Sequence, residues 1–173
     1  MIFTIGYSNR SLPEFLGELE KRRITQLVDV RSSPWSRNAP FNAPKIEKWT
    51  LKAGIFYRQC GEILGGMSKI PLDDPAYIAA LEKIIDASMR EPVAIMCAEG
   101  EPEHCHRTWD IAASMLIRWG IVSQSIRRNG RTEDATVSLT RVKSANFAAG
   151  MNERLSAIYA FEGPKFEDFG SEF

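Results

Sequence analysis

Both histidines of the 173-residue chain, His104 and His106, lie two positions apart with Cys105 between them, and Cys97 stands a short loop earlier. Thiolate and imidazole are ligands that zinc and iron favour. Cys97, Cys105 and His106 therefore form a candidate metal set, with His104 as an alternative imidazole and zinc or iron as the cofactor. Their spacing matches no zinc-finger pattern. The same cluster allows nucleophilic chemistry. Cys105 at a helix start, beside Arg107 and an imidazole, has its thiolate favoured. Glu99, Glu101 and Glu103 act the other way, because neighbouring negative charge raises a thiol pKa. Glu99 can instead act as a general base or orient a histidine. Glu99, Cys105 and His106 are thus the candidate catalytic residues. The plainer readings are that Cys97 packs as a buried thiol at the end of an apolar run, and that the acidic loop is solvated and caps the helix.

A second group suits an anion. Arg31, Arg37 and Arg107 carry planar forks that pair with phosphate or carboxylate at two points. Ser8, Ser32 and Ser36 add hydrogen bonds, Tyr7 lies in the same set of loops, and the helix beginning near Arg107 offers free N–H groups. The alternative is that each arginine pairs with Asp29, Glu99 or Glu103 to fix a loop. Trp35 lies among polar loop residues, where it either stacks on a base or ring or seals its loop against the core. Gly65-Gly66 allows close backbone approach to a ligand, though a turn is the commoner use.

Alternating strands and helices must position these residues. Residues 1–6, 26–30, 55–58, 92–97 and 121–126 read as strands, the last as the final core strand. Helices follow Ser11, which with Glu14 forms a capping box, and Asp74-Pro75, an N-cap with proline at the first helical position. Tyr77, Ile78, Leu81, Ile85 and Met89 form the apolar face of the latter. A short helix covers residues 45–53, and another runs from Cys105 or His106 to Trp119, stopped by Gly120. Trp109 and Trp119 on that helix read as core. Residues 32–44, 61–70 and 98–104 read as loops. The pattern implies a single α/β domain, a mainly parallel sheet with helices on both faces in a Rossmann-like three-layer arrangement. Its core spans residues 1–130, and residues 131–173 form a C-terminal extension without a definite pattern. Ligands of such sheets bind at the carboxyl ends of strands. The loops at residues 4–10, 29–37 and 97–107 should therefore converge on one edge.

Composition is that of an ordinary globular domain, 44% hydrophobic and 25% charged. The 22 basic and 22 acidic residues cancel, which argues against a nucleic-acid coat or a polybasic membrane binder. The balance is uneven: residues 1–60 hold 10 Lys/Arg against 5 Asp/Glu, and residues 61–173 hold 12 against 17. No signal peptide or spanning segment is visible. Three cysteines are too few and odd for a disulfide scaffold. A cytoplasmic location with reduced thiols is expected, without membrane association.

Thr4-Ile-Gly-Tyr-Ser8, Leu27-Val-Asp-Val-Arg-Ser32 with Pro34 and Ser36-Arg37, Leu64-Gly-Gly66, and Met96-Cys-Ala-Glu99 with Cys105-His-Arg107 resemble the bacterial family called domain of unknown function 488, over about residues 1–127. The resemblance implies an α/β fold, a site built from these loops, no settled reaction, and an association with nucleic-acid processing. The family usually has histidine where this chain has Tyr7. A fainter resemblance to rhodanese domains rests on the Asp-Val-Arg strand end and on Cys97 closing a later strand. It implies a sulfur-carrying role for Cys97, yet the acidic loop at 98–104 is longer than theirs. The leading expectation is an enzyme or binder for an anionic, phosphate-bearing ligand, a nucleotide or nucleic acid, at the Cys/His/Arg site. A metalloprotein, a non-enzymatic binding module and a rhodanese-like sulfurtransferase are the alternatives.

Overall fold

Short apolar runs make the strands. In the computed structural model, which describes residues 1–144, these are β1 (Ile2–Gly6), β2 (Gln26–Asp29), β3 (Phe56–Gln59), β4 (Val93–Cys97), β5 (Gln124–Ile126) and β6 (Thr132–Asp134). They form one sheet in the order β3-β2-β4-β1-β5-β6, parallel throughout except for the last pair. The helices are α1 (Leu12–Lys21), α2 (Ala43–Lys52), α3 (Gly61–Leu64), α4 (Pro75–Arg90), α5 (Ala113–Trp119) and α6 (Ala135–Ser144). No helix among the described residues is long and apolar enough to cross a membrane.

Strand side chains alternate between two cores, as pleating requires. Phe3, Ile5, Leu27, Ala94 and Met96 pack with Phe15 and Leu19 of α1 and Ile46 and Trp49 of α2. Ile2, Val28, Val93 and Ile95 pack on the opposite face with Leu81 and Ile84 of α4, Met115 of α5 and Leu139 of α6. Burying each such side chain contributes roughly 1.5–3 kcal/mol. The fold is therefore the expected single α/β domain with helices on both faces.

The helix signals act as read. Ser11 and Glu14 cap α1 reciprocally, Asp74 accepts from the Ala76 N–H to start α4, and Gly120 ends α5 at φ 64°. Several details differ. Met89 is exposed, and Ile84 takes its expected place in the buried stripe of α4. Residues 107–112 wind as a π-helical turn before α5. The loop at 32–44 holds a 3-10 turn, Ala39–Phe41, and the loop at 61–70 begins with α3. The sheet also continues past β5, the expected last strand. Within the extension expected at 131–173, β6 pairs antiparallel with β5 and leads into α6. The remainder of that extension lies outside the described residues.

An ionic clasp ties this last hairpin to the acidic loop. Arg127 binds Glu103 and Glu133, both at 2.9 Å, and Arg141 binds Glu133 at 2.6 Å. Hydrogen bonds from Arg141 first, then from Ser138 and Arg127, hold the Glu133 carboxyl down to about 2, with partial burial opposing. A carboxyl with a depressed folded pKa stabilises the fold above its unfolded value, ~4.3 for glutamate, and loses that contribution as pH falls toward the folded value. Thermal melting should therefore decline between about pH 4.5 and pH 2. Glu133→Gln should lower the melting temperature at pH 7 and flatten the decline; an unchanged acid profile in that variant would show that the clasp is not its source.

Candidate functional site

β4 lies between β1 and β2, so their carboxyl ends are neighbours and the three loops meet there. The Tyr7 N–H donates to the Cys97 carbonyl at 3.2 Å, Ser8 N–H to Ala98 at 2.8 Å, and Val30 N–H to Met96 at 3.0 Å. Gly6 permits the contact: a Cβ there would fall 1.6 Å from the Glu99 carbonyl oxygen.

Cys97 at the end of β4 and Cys105-His106 at the start of the following helix face one another. Sγ of Cys97 lies 3.8 Å, and Sγ of Cys105 3.7 Å, from Nδ1 of His106. The three candidate ligand atoms fall within 4.8 Å of one another, the only such group of metal-ligating side chains among the described residues. Nε2 of His106 lies 3.1 Å from the Val30 carbonyl oxygen. A carbonyl only accepts, so Nε2 carries a proton, and Nδ1 is the ring nitrogen that faces the two sulfurs. Gly66 covers the ring, where a Cβ would come within 2.9 Å of Nδ1.

The two thiols influence each other's titration in opposite directions. The hydrogen bond with Cys105 and then burial push the Cys97 thiol up; the same bond, with His106 and Arg107, pulls Cys105 down against burial. Both are buried, at 7% and 3% exposure for Cys97 and Cys105. A sulfur-carrying role would need an accessible Cys97, which this burial does not favour.

The arginines hold the loops. Arg31 makes a two-point pair with Asp29, its Nη2 reaching Oδ2 at 2.6 Å and its Nε reaching Oδ1 at 2.8 Å. It also donates to the Phe41 carbonyl at 2.8 Å, and to the Tyr7 hydroxyl at 3.4 Å. Burial works against its charge, but the bond to Asp29 outweighs that and raises its pKa. Tyr57 closes the group, its hydroxyl donating to Asp29 at 2.7 Å. Fully buried Arg107 donates to the carbonyls of Glu99 and Gly100. Arg31 and Arg107 therefore spend these donors on the protein itself, the outcome the sequence offered as the alternative to an anion clamp, although Arg107 binds carbonyls rather than carboxylates. Arg37 is exposed and has no ion-pair partner among the described residues.

The other candidates are placed as follows. The Glu99 carboxylate accepts from the Gly100 N–H at 2.7 Å and the Glu101 N–H at 3.3 Å, so it shapes its own turn. Ser32 Oγ accepts from the Met67 N–H at 2.9 Å, tying the Gly65-Gly66 loop to the β2 loop. Ser36 Oγ accepts from Asn38, while Tyr7 stacks on Phe41 with ring centroids 4.4 Å apart. Ser8 contributes its backbone to the seam with Ala98. His104 is exposed, and no hydrogen bond from its ring reaches the cluster. Trp35 is 67% exposed and does not seal its loop; Trp109 and Trp119 are half-buried. Sequence reading missed the carbonyl of Val30, a backbone group with no side-chain signature. It weighed Gly66 mainly as a turn, although glycine beside a ligating ring was the available signal.

No curated protein and no solved structure matches the chain. A family model, Domain of unknown function DUF488, matches residues 11–71 and 69–109. The matched stretch takes in the Asp29–Arg31 pair, the Gly65-Gly66 loop and all three residues of the Cys/His cluster. The chain belongs to the family described as Domain of unknown function DUF488.

Proposed function

We propose that this protein binds one divalent metal ion, zinc or iron, through Cys97, Cys105 and His106, and keeps a coordination position open for water or a substrate. The observation that carries the reading is the spacing of the ligand atoms. Zn–S bonds of about 2.3 Å and Zn–N bonds of about 2.0–2.1 Å in a tetrahedron give a sulfur–nitrogen edge of about 3.6 Å. The two sulfur–nitrogen separations here are 3.7 and 3.8 Å. The His106–Val30 hydrogen bond supplies the outer contact that orients a ligating imidazole. Three protein ligands with one free position is the arrangement of catalytic rather than structural zinc sites, and a metal there would polarise a bound water or carbonyl.

The expected phosphate-bearing ligand finds less support at this position. Arg31 and Arg107 are engaged by protein oxygens, which leaves Arg37 as the free cation of the three among the described residues. The nearness of the Cys97 and Cys105 sulfurs, within 4.8 Å of each other, favours a second reading, a dithiol that closes to a disulfide as two electrons, and whatever protons the pair holds, pass to an oxidant such as a peroxide.

Purified without a metal-binding tag, the chain should carry about one zinc or iron per molecule. Cys97→Ser, Cys105→Ser and His106→Ala should each lose it while remaining folded by circular dichroism. Metal-free protein that fails to take up added zinc or iron would reject the proposal, and loss of two free thiols on peroxide treatment of that protein would favour the dithiol. Gly66→Ala should weaken metal binding by roughly 10–100-fold, the usual effect of disturbing the support of a ligand. Titration against a chelator of known affinity measures it; an unchanged constant would mean that the ring keeps its place without the glycine.

A further inference from the structure

The loop bearing Trp35 and Arg37 runs into α2, whose three lysines the metal reading does not use. Lys45, Lys48 and Lys52 recur at helical spacing on α2 and line one shallow groove with Ala39, Pro40 and Trp49. Along a helix these lysines rise over about 10 Å. All three are exposed, and none pairs with a carboxylate among the described residues. Glu47, the acidic residue of the same helix, lines a different groove beside β3.

The loop bearing Trp35 and Arg37 is anchored at the start of this helix. The Ala43 N–H donates to the Pro34 carbonyl at 3.0 Å, and the Ser36 N–H to Asn42 Oδ1 at 2.5 Å. Its floor is packed: Phe41 lies edge-on to Phe15 and Trp49, and Trp49 Nε1 donates to the Pro40 carbonyl at 3.0 Å. An anchored loop thus carries an exposed indole and a guanidinium without an ion-pair partner among the described residues next to the helix that bears the lysines.

We propose that this face binds single-stranded nucleic acid, with a base stacked on Trp35 and the backbone phosphates drawn to Arg37, Lys45, Lys48 and Lys52. An exposed aromatic ring beside a cationic groove is how non-specific single-strand binders work. A duplex hides its base faces from such a ring. An anionic membrane is the poorer match, because Trp35 is flanked by Ser33, Ser36 and Asn38 rather than by the continuous apolar face that an interfacial helix buries. The local positive charge also supplies part of the basic excess of residues 1–60 within a neutral chain.

The test is fluorescence anisotropy of the full chain with a labelled oligothymidylate of about twelve nucleotides, within the usual site sizes. Saturable binding is expected, with log K falling linearly against log salt at a slope of roughly −2 to −3 for three or four phosphate contacts. Trp35→Ala should weaken binding about tenfold. The triple variant Lys45→Glu, Lys48→Glu, Lys52→Glu should abolish it, and the corresponding glutamine variant, which avoids clustering negative charge, should reduce it with the melting temperature unchanged. Cys105→Ser should bind as tightly as the parent, which separates this face from the metal site. Absent binding, equal affinity for a duplex of the same length, or equal affinity for phosphatidylserine vesicles with no effect of Trp35→Ala would each overturn the proposal.

Discussion

The carboxyl edge of the sheet depends on β4 lying between β1 and β2. These two strands are consecutive in the chain, yet they leave a gap one strand wide that a segment more than sixty residues after β2 fills. With β4 in place, the backbone of residues 97–98 is bonded to Tyr7 and Ser8 on one side, and Met96 to Val30 on the other. Cys97 is thereby held opposite the helix start that carries Cys105 and His106, and the carbonyl of Val30 comes within reach of the imidazole. The Asp29–Arg31 pair and the bond from Tyr57 are buried supports for that placement. In a low-dielectric interior such a pair must be fully matched to be tolerated, and the carbonyl of Phe41 and the hydroxyl of Tyr7 take up remaining donors of the guanidinium.

The sheet and the meeting of the three loops were legible in the sequence because they follow from apolar runs and from the geometry of parallel strands. Ser11-Glu14, Asp74-Pro75 and Gly120 gave helix boundaries through local hydrogen-bonding chemistry. The roles of Arg31 and Arg107 were harder to read. An arginine that will clamp a phosphate and one that will bind carbonyl oxygens have the same side chain, and the carbonyls leave no mark in the sequence. β6 was hidden for another reason: Thr132-Glu133-Asp134 is a polar edge strand with no apolar alternation. Trp35 was weighed between stacking and sealing, and only its exposure separates the two. The lysine spacing on α2 was present in the sequence as an i, i+3, i+7 pattern; what could not be seen there was the lack of acidic partners.

Charge is divided by location across the molecule. The acidic loop at 98–104 is neutralised by the basic residues of the C-terminal hairpin and α6, whereas the lysines of α2 face solvent unopposed. A net charge of zero conceals this, since overall balance constrains solubility and not the placement of individual groups.

The glycines under the site impose a hard limit on change. At Gly6 a single added carbon would overlap a carbonyl oxygen, and at Gly66 it would press on the imidazole. Neither position offers a graded series of substitutions, since the smallest step already collides. Diversification of this chain must therefore run through the residues that rim the loops, such as Trp35, Arg37 and Met67, whose side chains have open space around them. Related chains that differ in ligand preference would be expected to vary there, on an unchanged floor.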